Sequence, residues 1–218
     1  MVFQLGCMGT PTLTSNDSIP QVLKAIVANQ TNHALWLNTL SLLEHIGSRK
    51  ILLTQSNEET SEMILRHATE EARHALFFKK AARTIQPEFR SGYQNSSLVR
   101  GTAARIYFAK LDTLVRKNLR SVFPEEKTFT YLAYLYTTTV IEKRAMVIYN
   151  AYDEILDKSD SPIRLTNLIL EEEGHLSEMS AEMFRLDPNA NERLAHLEAE
   201  EAKIFARFWR QIGEFSLN

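Results

Sequence analysis

Four glutamates stand within stretches that otherwise read as core-facing helices: Glu44 in LWLNTLSLLEHIG, Glu71 in MILRHATEEARHALFF, Glu142 in YLYTTTVIEKRAMVIY and Glu172 in LTNLILEEEGHLSEM. A carboxylate inside a helical core is rare unless something compensates its charge, because the lost hydration costs several kcal/mol. A fold built from these helices must either turn the four glutamates to water or gather them around cations.

Spacing favours the second course. Glu71-Ala72-Arg73-His74 and Glu172-Glu173-Gly174-His175 are both E-x-x-H, and an i,i+3 pair puts carboxylate and imidazole on one face of a helix. One such pair is within chance for a chain with six histidines, and most are surface neighbours. Here the motif recurs with a third element at a matching distance: Glu44 precedes Glu71 by about 30 residues, and Glu142 precedes Glu172 by a similar interval. Two copies of helix-with-Glu followed by helix-with-E-x-x-H form the ligand set of a di-iron or di-manganese carboxylate bundle, with all six side chains directed inward. Two divalent ions would offset the mutual repulsion of four buried carboxylates. An O/N donor set without thiolates suits iron or manganese, Fe/Fe and Mn/Fe alike. The bland alternative is a bundle whose glutamates face solvent. Glu70, Glu171 and Glu173 lack the i,i+3 relation to a histidine and are excluded as ligands.

The punctuation predicts an all-α chain. Seven glycines in 218 residues are few, and the prolines sit near helix starts. Residues 1–17 read as a flexible arm and 18–218 as one helical domain. Helices are expected from Ser18 and Pro20 to about Lys50; from a capping box at Ser56 and Glu59 to about Ile85; over Ser97–Val122; from Pro124 to about Leu156; from Ser161-Pro162 onward; and from Asp187-Pro188 to about Phe215. The run ERLAHLEAEEAK in the last reads as a solvated face.

The bulk numbers exclude several classes of function. With 25 basic and 27 acidic residues and no basic block, nucleic acid is not an expected partner. One cysteine, Cys7, rules out an internal disulfide, a CxxC pair and a thiolate zinc site. The opening MVFQLGCMGTPTL lacks a basic region followed by a continuous apolar run, and no stretch approaches a membrane span. A cytoplasmic protein without a membrane span is expected.

With these motifs the chain resembles the ferritin-like di-iron carboxylate superfamily over about residues 20–185. The resemblance implies a ferritin-like four-helix bundle with a di-metal centre plus two additional helices. It also implies that Glu44, Glu71 and His74 bind one iron ion and Glu142, Glu172 and His175 the other, with Glu71 and Glu172 bridging. Phe78 stands where the ribonucleotide reductase small subunit carries its radical tyrosine, and a single cysteine excludes a rubredoxin-type domain. The run from Glu71 through His74 to Phe78, and Tyr149-Asn150-Ala151-Tyr152 after Glu142, are similar to elements of aldehyde-deformylating oxygenase.

Other positions are candidates for lesser roles. His67, one turn before Glu71, is placed to support or join the ligands, or is a satisfied core histidine; Thr138 and Tyr149, on the Glu142 face, are placed to hydrogen-bond a ligand or simply to pack; and Phe77, Phe78, Met146, Leu168 and Met179 would line an apolar pocket or equally fill the four-helix core. Arg73 and Arg144 either anchor carboxylates near the site or, the simpler expectation, are exposed. The expected function is an oxidoreductase that activates dioxygen to oxidise or oxygenate a small apolar organic substrate. No flavin or nicotinamide motif is visible, so an external electron donor such as a ferredoxin or a reductase is implied. A homodimer is compatible with this reading. The alternative is iron handling or peroxide detoxification without an organic substrate.

Overall fold

The structure is a computed structural model and describes residues 19–53 and 61–217. Among them there are seven α-helices and no strand: α1 (Ile19–Ala28), α2 (Gln30–Leu53), α3 (Glu62–Ile85), α4 (Gly101–Arg120), α5 (Glu126–Lys158), α6 (Thr166–Leu186) and α7 (Ala190–Ser216). The expected arm at 1–17 and the Ser56/Glu59 capping box lie outside the described residues. No helix among the described residues is long and apolar enough to cross a membrane.

The expected first helix is two. Asn29 interrupts it: its backbone N–H returns to Ile26 O while its side-chain Oδ1 accepts from Asn32 N at 3.0 Å. Asparagine side chains compete for backbone groups in this way and start a new helix rather than continue the old one. Three helices, α1, α4 and α7, therefore lie outside those that carry the candidate ligands, where the sequence predicts two.

Other starts shift for similar local reasons. Ser61 caps α3 by accepting from Ile64 N at 3.2 Å. The segment expected to begin a helix at Ser97 instead makes a short 3-10 turn over Asn95–Ser97, and the chain enters α4 through Arg100 at φ 50°. Helix α6 begins at Thr166, several residues after Ser161-Pro162, with Leu165 N held by Asp153 Oδ1 at 2.6 Å.

Helices α2 and α3 form the most extensively packed pair, followed by α5 and α6. The pairing of His33 with Tyr152 at 2.5 Å and of Glu44 with Tyr149 sets α2 and α5 antiparallel. Two apolar clusters fill the interior. One, around Trp36, Phe78, Tyr152 and Trp209, lies toward the start of α2; the other, around Ile51, Leu132, Tyr136 and Met179, lies toward its end. The carboxylate cluster sits between them. The ERLAHLEAEEAK run is not wholly solvated: Leu194, Leu197 and Glu201 are buried, because one stripe of α7 packs against α4 and α5.

Asp187, at the α6–α7 junction and 2% exposed, is fastened by Arg193 Nε at 2.6 Å, by Tyr136 Oη at 2.6 Å and by Asn189 N at 2.9 Å. Removing one member of a buried ion pair strands the other. Arg193→Met is expected to lower stability by about 3 kcal/mol in urea unfolding; a loss below about 1 kcal/mol, the range of a surface pair, would show that the junction does not depend on this pair.

Candidate metal centre

Helices α2, α3, α5 and α6 bring all six sequence-predicted ligands together. Glu44, Glu71, His74, Glu142, Glu172 and His175 are each at most 7% exposed. They form two overlapping groups, Glu44–Glu71–His74–Glu172 and Glu71–Glu142–Glu172–His175, in each of which one ligand atom per residue lies within 4.8 Å of the others. Glu71 and Glu172 belong to both. These buried groups could hold metal ions.

Both histidines turn Nδ1 to the carboxylates. His74 Nδ1 is 3.0 Å from Glu172 Oε1, and His175 Nδ1 is 3.3 Å from Glu172 Oε2 and 3.7 Å from Glu142 Oε1. Each donates its other nitrogen across the helix pair: His74 Nε2 to Glu171 Oε2 at 2.8 Å and His175 Nε2 to Glu70 Oε2 at 2.7 Å. This reciprocal brace between α3 and α6 fixes the ring orientations and keeps Nδ1 of each ring turned to the central carboxylates, the outer arrangement expected of histidine ligands. Arg73 clamps Glu171 through two hydrogen bonds, at 3.1 and 2.8 Å, as an anchoring role for Arg73 predicts. Glu70 and Glu171 belong to neither group; their bracing role is one that the sequence reading did not foresee. The signal was present, since both motifs are E-E-x-x-H.

The remaining candidates divide. Tyr149 donates its hydroxyl to Glu44, as its place on the Glu142 face allows. His67 packs on His175 with ring centres 4.2 Å apart, but its Nδ1 pairs with Tyr134 Oη at 2.7 Å and its Nε2 lies 3.3 Å from Glu178, so it is not in either ligand group. Burial, helped by the charge on His175, lowers its pKa to about 4. Arg144 binds Glu201, which also accepts from Tyr107 Oη, at 2.8 and 2.7 Å.

A cavity of about 220 Å³ opens on the cluster and is touched by Glu44, Glu71, Glu142 and Glu172. Its other walls are mainly apolar side chains of α2, α4, α5 and α7, with Thr137 and Thr138 among them. The pocket residues expected from sequence do not line it. Phe78, Leu168 and Met179 are core packing, and Phe77 and Met146 are half-buried elsewhere. The cavity lies between α2 and α5, facing α4 and α7. The sequence contains no contact that would have indicated that side.

The electrostatics test whether cations fit. Burial, followed by the field of neighbouring glutamates, raises the carboxyl groups of Glu71 and Glu142 well above the ordinary range, and Glu44 is raised for the same reasons. Burial also opposes charge on His74, but hydrogen bonding to Glu172 and the charges of Glu44 and Glu172 outweigh it and lift its pKa to about 9. Both oxygens of Glu142 are buried without a hydrogen-bond partner. Carboxylate oxygens can only accept, and nothing donates to Glu142, so a cation could supply the partner that its oxygens lack. Gly47 is part of the fit: a Cβ there would meet Glu71 Oε2 at 2.9 Å, so glycine lets the Glu71 carboxylate lie against α2.

No family model, no curated protein and no solved structure matches the chain.

Two outcomes follow from this geometry. With the pKa of His74 lifted to about 9 and burial favouring the neutral forms of Glu44, Glu71 and Glu142, the metal-free cluster carries at least the His74 proton at pH 7, whereas ligands must be deprotonated. Metal loading at pH 7 is therefore expected to release protons, and affinity to rise with pH; calorimetry in buffers of different ionisation enthalpy measures this, and loading without proton release contradicts it. Glu70→Ala and Glu171→Ala should each weaken metal binding by about 10–100-fold in competition with a chelator. Unchanged affinity would mean that the brace does not position the histidines.

Proposed function

We propose that α2, α3, α5 and α6 form a ferritin-like four-helix bundle around two iron ions, with Mn/Fe also suited to the ligands, and that the chain is an oxidoreductase acting on a small apolar organic molecule with dioxygen. The carrying observation is that the four buried carboxylates form part of the wall of an apolar cavity. Iron handling requires no such chamber, whereas oxidation of an organic molecule requires it beside the metal.

In this reading Glu44, Glu71 and His74 would hold one ion and Glu142, Glu172 and His175 the other. The metal pair, when bound, supplies open positions for dioxygen and the electrons that reduce it. The side chains of the chain set the conditions. Tyr149 holds Glu44 in one orientation through its hydroxyl, and the α3–α6 brace does the same for both imidazoles. The apolar walls exclude bulk water from the reacting face. Thr138 lines the cavity, and its hydroxyl is placed to hold a proton or a polar group there. Electrons come from an external donor such as a ferredoxin or a reductase.

The test is to load the chain anaerobically with Fe(II), count bound metal, admit dioxygen and follow the visible spectrum. About two ions per chain, and a transient absorption whose decay is hastened by apolar organic molecules, are expected, and Glu142→Ala should abolish the transient. Decay indifferent to every organic molecule, with mineral growth, would place the chain with iron-handling proteins instead.

A further inference from the structure

The surface of the α2–α3 pair carries its charges unevenly. On the edge of α3 that faces α6 the arginines are matched, Arg66 by Glu178 and Arg73 by Glu171. On the edge beside α2 they are not. Ser41 Oγ donates to Ala75 O at 2.6 Å and Ser48 Oγ to Ala68 O at 2.7 Å, which sets the two helices antiparallel and fixes their register. Next to these contacts α3 presents Leu65, Leu76, Lys79 and Arg83, at i, i+11, i+14 and i+18 on one face. Helix α2 presents His45, Arg49 and Leu52, at i, i+4 and i+7. Leu52, Leu65 and Leu76 are each 48% exposed.

Tyr93, from the loop before α4, joins the two rows of cations. Its hydroxyl meets Ser41 Oγ at 2.9 Å, its ring stacks on His45 with centres 5.3 Å apart, and Lys79 Nζ lies 3.8 Å from the ring centre. Arg105 Nη2 donates to the Tyr93 carbonyl at 2.6 Å. Among the described residues, Arg49, Lys79, Arg83 and Arg105 have no carboxylate partner. Burial first, then the charges of Arg49 and Lys79, lower the pKa of His45, and burial and Arg83 lower that of Lys79; no carboxylate counters either. By register Arg49 is level with His67 of α3, sixteen residues before Arg83, so the row of uncompensated charge is about 24 Å long.

We propose that this outer face of α2 and α3 docks an acidic electron-carrier protein. Exposed leucines among cations that lack carboxylate partners complement an acidic surface with an apolar centre. A row of about 24 Å matches the breadth of an ordinary interface and exceeds the reach of one small anion. A second copy of the chain is a poor occupant, because a symmetric contact through this face would set like charges together. A nucleic acid is also a poor one: the aromatic ring in the row, Tyr93, is taken by His45 and Lys79 and offers no face to a base. The carrier's role rests on reading the chain as an oxidoreductase with an external donor, and it follows from position. The same two helices carry Glu44, Glu71 and His74 on their inner faces, so a protein docked outside stands roughly one helix diameter, about 10 Å, from the candidate metal centre.

The test uses the full chain, without metal and loaded with Zn(II), and two small carriers as probes: an acidic [2Fe–2S] ferredoxin and the basic cytochrome c. In calorimetry at low ionic strength the ferredoxin is expected to bind and cytochrome c not to, and the ferredoxin affinity should fall steeply with added salt. Arg49→Glu and Arg83→Glu should each weaken ferredoxin binding roughly tenfold. Arg207→Glu makes the same change of charge at an exposed position of α7, which packs on α1, α4, α5 and α6, and should leave binding within about twofold. In the 15N-labelled unsubstituted chain the paramagnetic cluster of the ferredoxin should broaden the amide signals of residues 72–83 before those of α7, and this decides if a variant does not fold. Equal losses in all three variants, broadening elsewhere, or a single-stranded oligonucleotide bound more tightly to the same face would overturn the inference. So would a dimer of the chain that Arg49→Glu dissociates. Ferredoxin bound on this face of a chain that takes up no metal would uphold the docking site and remove the metal reading; a metal-loaded chain that ferredoxin ignores would do the reverse.

Discussion

Four carboxylates share one desolvated space at the centre of this protein, and most of the surrounding arrangement answers to that fact. Like charges at such distances cannot all remain ionised without compensation. Burial and mutual repulsion push Glu44, Glu71 and Glu142 upward, whereas Glu172 is held below its ordinary value because hydrogen bonds from His175 and His74 outweigh its burial. Glu172 is thus the charge around which the two imidazoles are organised. Glu142, with no donor to either oxygen, is the one left for a cation to satisfy.

The reciprocal brace gives the cluster its symmetry. Glu70 of α3 holds His175 of α6, and Glu171 of α6 holds His74 of α3. Each E-E-x-x-H segment therefore supplies a carboxylate and an imidazole to the centre and a second carboxylate to the other segment's histidine. On the other side, α2 approaches closely through Gly47, and Tyr149 of α5 closes over Glu44. The side of the cluster toward α3 and α6 is thereby filled with hydrogen bonds, and access is left on the side of α2 and α5. That is where the cavity lies, and it is why the aromatic residues next to the ligands in sequence, Phe77 and Phe78, pack elsewhere.

The flanking helices close the chamber. Helices α4 and α7 contribute Tyr107, Phe108, Phe205 and Trp209 to its walls, and the buried Glu201–Arg144 pair ties α7 to α5 beside it. A buried ion pair of this kind adds less stability than an apolar equivalent would, but it fixes register because neither partner tolerates being left alone. The Asp187–Arg193–Tyr136 cluster does the same at the N-terminal end of α7.

The sequence by itself determined the helical class and the six converging side chains, because i,i+3 spacing and the repeat of Glu before E-x-x-H are local and periodic properties that survive whatever the helices pack against. It also contained, unread, the E-E-x-x-H doublets that encode the brace. What it did not determine is which helix faces meet. The break at Asn29 depended on one side chain turning back to the backbone, a choice that apolar periodicity does not record. The burial of Glu201 depended on Arg144 and Tyr107, 57 and 94 residues away in the chain. Only the tertiary structure decided that Trp36 and Trp209, 173 residues apart, would meet in the wall of the cavity, because that contact exists only after α2 and α7 have packed.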